Sequence, residues 1–512
     1  MQVLNNKVLL LNLRDPKKVT NVIPKSRELP DNKVAVKWGL DEAHTLKRLN
    51  IKNIPSPILG QYGWPGQFKP FDHQKTTAAF LTMNQKAFCL NEQGTGKTGS
   101  VIWAADYLMT IGKIKRVLVI CPLSIMDSAW RADLFKFAMH RTVDVAYGNA
   151  DKRKAIINGP AEFIIINYDG VEIVFDEIAK ANFDLIVIDE ANAYKNAQTK
   201  RWKTLYKLVT PRTWLWMLTG TPAAQSPVDA YGLAKLVNPM GVPKFYTAFK
   251  DMVMYKVSQF RWVPKESAVQ TVYNALQPAI RFTKEECLDL PEMTYVTRQV
   301  PLSPQQKKYY DLLKKRLVIQ AAGEEVTALN AAVELNKLLQ ISCGAVYSDS
   351  GETVQFTVDN RYNVLKEVID EASHKVLVFV PFKHVIDIIR DRLRDDGITT
   401  HVISGDVSAH RRTEIFNDFQ TKADPRVLVI QPQAAAHGVT LTAADTIVWW
   451  GPTSSLETFA QANARVHRQG QRHPTTVVQL EGSNSEKHVY RLLNQKIDVH
   501  SKILELYKDL LD

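Results

Sequence analysis

No uncharged apolar run of membrane-spanning length occurs in the 512 residues, which excludes a helical membrane protein. Cysteine is scarce. The four present, Cys89, Cys121, Cys287 and Cys343, are far apart and form no C-x-x-C pair, so neither a disulfide framework nor a cysteine zinc site has support. They read as small buried hydrophobes. The N-terminal stretch MQVLNNKVLLLNLRDPKK has no basic start and no small-residue cleavage site, so it does not read as a secretory signal. The expected location is the cytoplasm, or the nucleus for a eukaryotic source. Neither a short-period repeat nor a low-complexity tract is present. Acid is in deficit: 53 Asp and Glu stand against 65 Lys and Arg, a formal charge of +12, which favours a polyanionic partner such as nucleic acid.

What is present is material for large cores. Hydrophobic residues make up 45% and charged residues 23% of the chain, the composition of a folded protein rather than a disordered or collagen-like one. The length suggests roughly three units. Short apolar runs bounded by turn residues recur with room for helices between them, the rhythm of a parallel α/β sheet. One set is KAFCL (86–90), RVLVICP (116–122), EFIIINY (162–168), FDLIVIDE (183–190) and WLWMLTGTP (214–222). A second is HKVLVFVPF (374–382), THVISG (400–405), RVLVIQP (426–432), ADTIVWWGP (444–452) and TTVVQL (475–480). From about Pro227 to Val346 the texture is longer and helical, with Ser303 and Pro304 as a helix start. Residues 1–66 alternate strand-like runs with one helix candidate, DEAHTLKRLN. They end in the Pro/Gly-rich IPSPILGQYGWPGQFKP, which reads as a linker.

Three patterns carry chemistry. NEQGTGKT (91–98) is a Gly-rich turn between a strand and a helix candidate. There glycines let backbone N–H groups approach phosphates, Lys97 reaches the β and γ oxygens, and Thr98 holds Mg²⁺. The strict pattern places Gly where Asn91 stands. DEAN (189–192) ends the strand DLIVI. Asp189 suits a Mg²⁺ ligand and Glu190 a residue that orients and deprotonates the attacking water; alone, the pair reads more readily as solvated carboxylates opening a helix, and the phosphate-loop pattern upstream reverses that balance. In QANARVHRQGQ (461–471), Arg465 and Arg468 are three apart, so on a helix they would share one face, from which both could reach a γ-phosphate. By themselves they fit a solvated or nucleic-acid-facing basic helix as well.

In order along the chain, these elements resemble a superfamily-two helicase motor, and specifically the Swi/Snf-type ATPases that translocate on double-stranded DNA. FDHQ with Gln74 resembles the family's adenine-reading element, and CPLSIMDSAW (121–130) its motif Ia. DEANAYKN (189–196) resembles the Asp-Glu box, LTGTP (218–222) motif III, and RFTKEECLDLPE (281–292) the entry to the second lobe. HGVTLTAADTIV (437–448) and QANARVHRQGQ are similar to motifs V and VI. The sequence departs from the family at Asn91, at Asn192 where His is usual, and at QPQAAAH (431–437), where alanines 434–436 stand in a Gly-rich approach. Asn192 still hydrogen-bonds but cannot carry charge.

The resemblance implies two tandem RecA-like parallel-sheet α/β lobes with helical insertions and a small N-terminal α+β unit. The expected division is 1–66 accessory domain, 67–240 motor lobe 1, 241–345 helical insertions and inter-lobe segment, 346–490 motor lobe 2, and 491–512 C-terminal helix. It also implies ATP and Mg²⁺, with Lys97, Asp189, Glu190, Arg465 and Arg468 catalytic. Gln74, Gly94, Thr95, Gly96, Lys97, Thr98, Gly438 and Gln461 would hold nucleotide, with Thr98 and Asp189 on the metal. Thr219, Thr221 and Asn192 would couple hydrolysis to movement, and Ser124, Trp130, Asn167, Tyr168, Thr440 and Thr442 would touch DNA. Additional basic clusters are Lys200, Arg201 and Lys203, and Lys314, Lys315 and Arg316; a solvated helix face is the plainer reading of both. Most tryptophans, Trp449 and Trp450 among them, read as packing.

The expected activity is a DNA-dependent ATPase that translocates on duplex DNA as a monomer, remodelling DNA or displacing bound proteins. A strand-separating or annealing helicase acting on forked or branched DNA is the nearest alternative. A nucleotide-gated clamp without motor activity is the alternative of another class.

Overall fold

In a computed structural model, residues 1–223, 225–258, 262–287, 289–323, 328–347, 352–435 and 439–505 are described, without the side chains of 316–332, 409 and 498–505. The first strands, β1 (Gln2–Leu4), β2 (Val8–Asn12), β3 (Arg27–Leu29) and β4 (Lys33–Lys37), form an antiparallel sheet in the order β1-β2-β4-β3. Alternation decides its faces. Leu9, Leu11, Val34 and Val36 point inward onto Val19, Ile23, Trp38 and Leu46, so α1 (Lys17–Thr20) and α2 (Leu40–Arg48) cover one face.

The Pro/Gly-rich stretch after this unit differs from the expected linker. It is packed onto the first lobe, because its aromatics need burial and its carbonyls find donors. Ile58, in α3 (Ile58–Gln61), is fully buried. Trp64 stands edge-on to Trp103 and Tyr62. Trp103 donates its indole N–H to the Pro65 carbonyl at 2.9 Å.

The first lobe opens with α4 (Asp72–Thr82), followed by β5 (Lys86–Cys89) and α5 (Lys97–Thr110). Then come β6 (Val117–Cys121), β7 (Val143–Val145), β8 (Phe163–Asn167), β9 (Leu185–Ile188) and β10 (Trp214–Leu218). The hairpin β11 (Met254–Lys256) and β12 (Trp262–Pro264) follows, then β13 (Ala279–Ile280). Seven strands form one parallel sheet, ordered β13-β5-β10-β9-β6-β8-β7. Its central strands are apolar at every position because both faces are covered. Leu118, Ile120, Ile186 and Ile188 face one cluster, while Val117, Val119, Leu185 and Val187 face the other.

The second lobe begins with β14 (Met293–Gln299). After the hairpin β15 (Ala345–Tyr347) and β16 (Thr353–Gln355) come β17 (Lys375–Phe379), β18 (Thr400–Ile403), β19 (Val427–Ile430), β20 (Ala444–Trp449) and β21 (Thr475–Glu481). Six strands form a second parallel sheet, β14-β21-β20-β17-β19-β18. All ten apolar runs read from the sequence are strands of these two sheets. The stretch from Pro227 to Val346 is helical only in part. It also gives an edge strand to each sheet, β13 to the first and β14 to the second.

Trp449 and Trp450 are fully buried, with indole N–H groups donated to Asn463 and to the Cys343 carbonyl. Cys89, Cys121 and Cys343 are buried and unbridged; Cys287 is half-buried. Among the described residues no helix is long and apolar enough to cross a membrane.

Candidate functional site

The loop after β5 is bent by two glycines in the left-handed region, Gly94 at φ +89° and Gly96 at φ +77°. The left-handed backbone at Gly96 is what calls for glycine there, and a side chain at that position would also displace the Gln74 amide. From below, His73 meets the Thr95 carbonyl at 2.8 Å and Gln74 donates to the Gly96 carbonyl at 3.5 Å. The sequence departure at the loop's first position acquires a reason here. Asn91, 1% exposed, donates to Thr77 at 2.9 Å and accepts from the Phe282 N–H at 3.0 Å. It ties the loop to α4 and to the chain entering lobe two. Lys97 opens α5, and its ammonium donates to the carbonyls of Asn91 (2.8 Å) and Glu92 (3.2 Å).

Asp189 and Glu190 follow β9. Asp189 accepts the Trp130 indole N–H at 2.8 Å and the Glu190 N–H at 3.0 Å, and burial raises its pKa. Glu190, at φ +49°, is pushed up to about 7, first by burial and then by Asp189, with Lys97 and Arg465 opposing. Its Oε2 is buried without a hydrogen-bond partner. Asn192 donates to the carbonyl and hydroxyl of Thr221 at 3.0 and 3.1 Å, and Thr219 accepts the Thr221 N–H at 3.2 Å. The three expected couplers therefore form one connected set beside the carboxylates.

From lobe two, the segment after the helix Leu456–Asn463 brings Arg465 and Arg468 to the same place. Burial and the neighbouring Arg468 lower Arg465 to about 10, with Glu190 opposing. Arg468 donates to the Val439 carbonyl at 3.0 Å. A cavity of about 410 Å³ is lined by Gly94, Gly96, Lys97, Thr98, Asp189 and Glu190 on one side and by Thr440, Arg465 and Arg468 on the other. All five expected catalytic residues converge there. Asp133, Lys136 and Gln469 also line it; no spacing pattern marks them in the sequence.

Three expectations end elsewhere, and a fourth falls outside the described residues. Trp130, expected at DNA, is fully buried and committed to Asp189, so it is a carboxylate partner. Gln461 is 3% exposed, away from the cavity wall, and donates to Glu457 at 3.4 Å. Thr95 is buried, its hydroxyl turned back to the Glu92 carbonyl at 2.8 Å. Gly438 lies outside the described residues, as do Ala436 and His437 of the altered motif V approach.

Among the other expected DNA contacts, Ser124 is exposed. Asn167 accepts from Arg153 at 2.9 Å, Tyr168 donates to the Asp189 carbonyl at 2.6 Å, and Thr442 accepts from Gln420 at 2.9 Å. Lys200 and Arg201 pair with Glu172 and Asp169, and Lys203, Lys314 and Lys315 are exposed.

The sequence reading passed over two cations in RFTKEECLDLPE. Arg281 reaches Glu92 at 2.8 Å and the Leu90 carbonyl at 2.9 Å. Lys284 donates to the His467 carbonyl at 3.0 Å. The available signal was two cations three apart at the entry to the second lobe.

Fold and site together define a protein of two parallel-sheet α/β lobes whose second lobe faces arginines onto the glycine-bent loop of the first. The chain belongs to the SNF2-related domain family, which residues 73–343 match, and residues 360–470 match the helicase conserved C-terminal domain. It is similar to an uncharacterized ATP-dependent helicase of Mycoplasma genitalium, 27% identical over 81% of this chain and 40% of that protein. It is also similar to the nuclear protein STH1/NPS1 of Saccharomyces cerevisiae, 25% identical over 91% of this chain and 36% of that one. Among solved structures, it matches the Sulfolobus solfataricus SWI2/SNF2 ATPase core in complex with dsDNA at 23% identity, covering 86% of this chain and 94% of that one, with a TM-score of 0.42. The chain spans about two-fifths of the length of the first curated relatives it matches.

Proposed function

We propose that this chain hydrolyses ATP in the cleft between its lobes and uses the cycle to translocate on double-stranded DNA. The observation that carries the reading is the single cavity lined by Lys97, Thr98, Asp189 and Glu190 from one lobe and by Arg465 and Arg468 from the other. Lys97, Thr98, Arg465 and Arg468 converge on a volume that also holds Asp189 and Glu190, an arrangement suited to a phosphate chain and its attacking water. Lys97 binds the β and γ oxygens. Glu190, held near neutrality by burial, accepts the proton of the attacking water. Arg465 and Arg468 stabilise charge developing on the transferred phosphoryl group, an effect of about 10³ to 10⁵ in rate. Because they come from lobe two, the site is complete only while the lobes are together.

Mg²⁺ fits the residues present. The Thr98 hydroxyl and Asp189 carboxylate are hard oxygen donors on the cavity wall, and the partnerless Glu190 Oε2 beside them marks an unsatisfied acceptor. Thr98 and Asp189 would hold such an ion, and it would supply positive charge to the phosphate chain. The relatives named as ATP-dependent helicases support nucleotide use. The excess of +12 supports a polyanionic track, bound largely without sequence preference and sensitive to salt.

The test is ATP turnover with and without duplex DNA, set beside triplex displacement and fork unwinding on one preparation. Duplex stimulation with displacement and no unwinding supports the translocase. Efficient fork unwinding or annealing moves the assignment to a helicase on branched DNA, and stimulation by RNA alone sinks the substrate. DNA binding without turnover leaves a nucleotide-gated clamp.

A further inference from the structure

The N-terminal unit holds charge out of proportion to its size. Residues 1–66 contain 11 Lys and Arg against 5 Asp and Glu, a net +6, half of the chain's +12 in about an eighth of its length. Three of these cations share one surface. Cross-strand partners point to the same face of a sheet, and Leu9, Leu11, Val34 and Val36 occupy the covered face. The opposite face therefore carries the rows Leu4–Val8–Lys37, Gln2–Leu10–Ala35–Arg27 and Asn12–Lys33–Leu29.

Arg27 and Lys37 are exposed and Lys33 is half-buried. Leu10 and Ala35 between them join no core cluster. Lys33 meets Asp31 at 3.7 Å, with exposed side chains on both, a pair of little strength in water. Beside this face, a groove of about 710 Å³ toward the first lobe adds Lys7 and Lys37 and contains Asp41 and Glu42; Asp41 is taken by Lys113.

We propose that this open sheet face is a second DNA-binding surface, one that holds the phosphate backbone of duplex DNA apart from the motor cleft. The proposal rests on the motor's being a DNA enzyme. Duplex is favoured because the face sets Arg27, Lys33 and Lys37 among aliphatic neighbours with no carboxylate in its rows, and those rows present no aromatic side chain on which unpaired bases could stack. A second copy of this chain is disfavoured there, because two such faces repel. The contribution is anchoring. While the lobes open and close on the track, a contact on a separate element keeps the enzyme from leaving it.

The test uses the full chain with Arg27→Gln, Lys33→Gln and Lys37→Gln combined, all on a face that contributes nothing to the core. Affinity for duplex DNA is measured by anisotropy across a salt series, with a melting curve confirming that the fold is intact. Each lost phosphate contact removes about 0.9 from the slope of log affinity against log salt. The expected result is a slope shallower by about two to three and at least tenfold weaker binding at low salt, with ATP turnover at saturating duplex unchanged. An unchanged slope overturns the proposal, as does a loss of affinity for anionic vesicles or single strands with duplex binding intact. Lysine at all three positions (Arg27→Lys with the native Lys33 and Lys37) should recover the slope. Because the readout is binding, wild-type protein that binds duplex but shows no duplex-stimulated turnover would refute the motor and leave this surface standing.

Discussion

The ammonium of Lys284 donates to the backbone carbonyl of His467 at 3.0 Å, joining the chain that enters lobe two to the segment bearing Arg465 and Arg468. Its own N–H donates to Glu92 at 3.0 Å, so a single residue touches the phosphate loop of one lobe and the arginine segment of the other. Burial lowers its pKa to about 8, with Arg465, Arg468 and Lys97 adding repulsion and Glu92 opposing.

Lys284→Met should lower turnover roughly tenfold, the scale of one charge-assisted hydrogen bond, while DNA affinity holds. Stability should change little at neutral pH, since the substitution also removes a cation from among three others. Between about pH 8 and the unfolded value of 10.5, the unfolded chain keeps a proton that the folded one has released. Unfolding then takes up a proton, and stability rises with pH across that window. The variant should lose this rise, which denaturation at several pH values will show.

As the proposed proton acceptor Glu190 must be ionised, and burial and Asp189 push its pKa up to about 7. Turnover at saturating nucleotide and duplex should fall as pH drops through 7 toward 5, with Asp189 and Glu190 titrating as a pair. Glu190→Gln should reduce turnover by about 10²- to 10⁴-fold above pH 7, flatten the fall toward pH 5 and leave nucleotide binding in place, read by single-turnover kinetics and a binding titration.

Trp130→Phe keeps most of the buried volume and deletes the donor to Asp189. Turnover should drop about ten- to a hundredfold, corresponding to about 1–3 kcal/mol for a lost hydrogen bond to a charged group. Duplex affinity should not move, the result that separates a carboxylate partner from a DNA contact.

Asn91→Gly would restore the residue usual at that loop position. It should nevertheless cost about 2 kcal/mol of stability, because Thr77 and the Phe282 N–H lose their partner in a buried setting. Urea denaturation measures this directly.

The sheets were legible because strands covered on both faces must be apolar at consecutive positions, and runs such as LIVI and VLVI have no other reading once repeated. The edges were not. β14, MTYVTRQ, is partly exposed along its length and mixes polar with apolar residues, so it carries no run, and β13 has only two residues. The phosphate loop, carboxylates and arginines were legible because their chemistry forces residue types at fixed spacings. Trp130 and Gln461 were misplaced because proximity to a motif in sequence does not say which way a side chain turns. Lys284 was missed because its importance lies in a contact 183 residues away.

The short passage from β13 to β14 bears on how the enzyme behaves when it is dilute. With Arg281, Phe282 and Lys284 held against the loop after β5, the chain reaches β14 at Met293 nine residues after Lys284, a length of chain that spans at most about 32 Å. Lobe two thus searches a small sphere around lobe one at an effective concentration in the millimolar range. Reassembly of the cleft after each opening is therefore independent of how much protein is in solution.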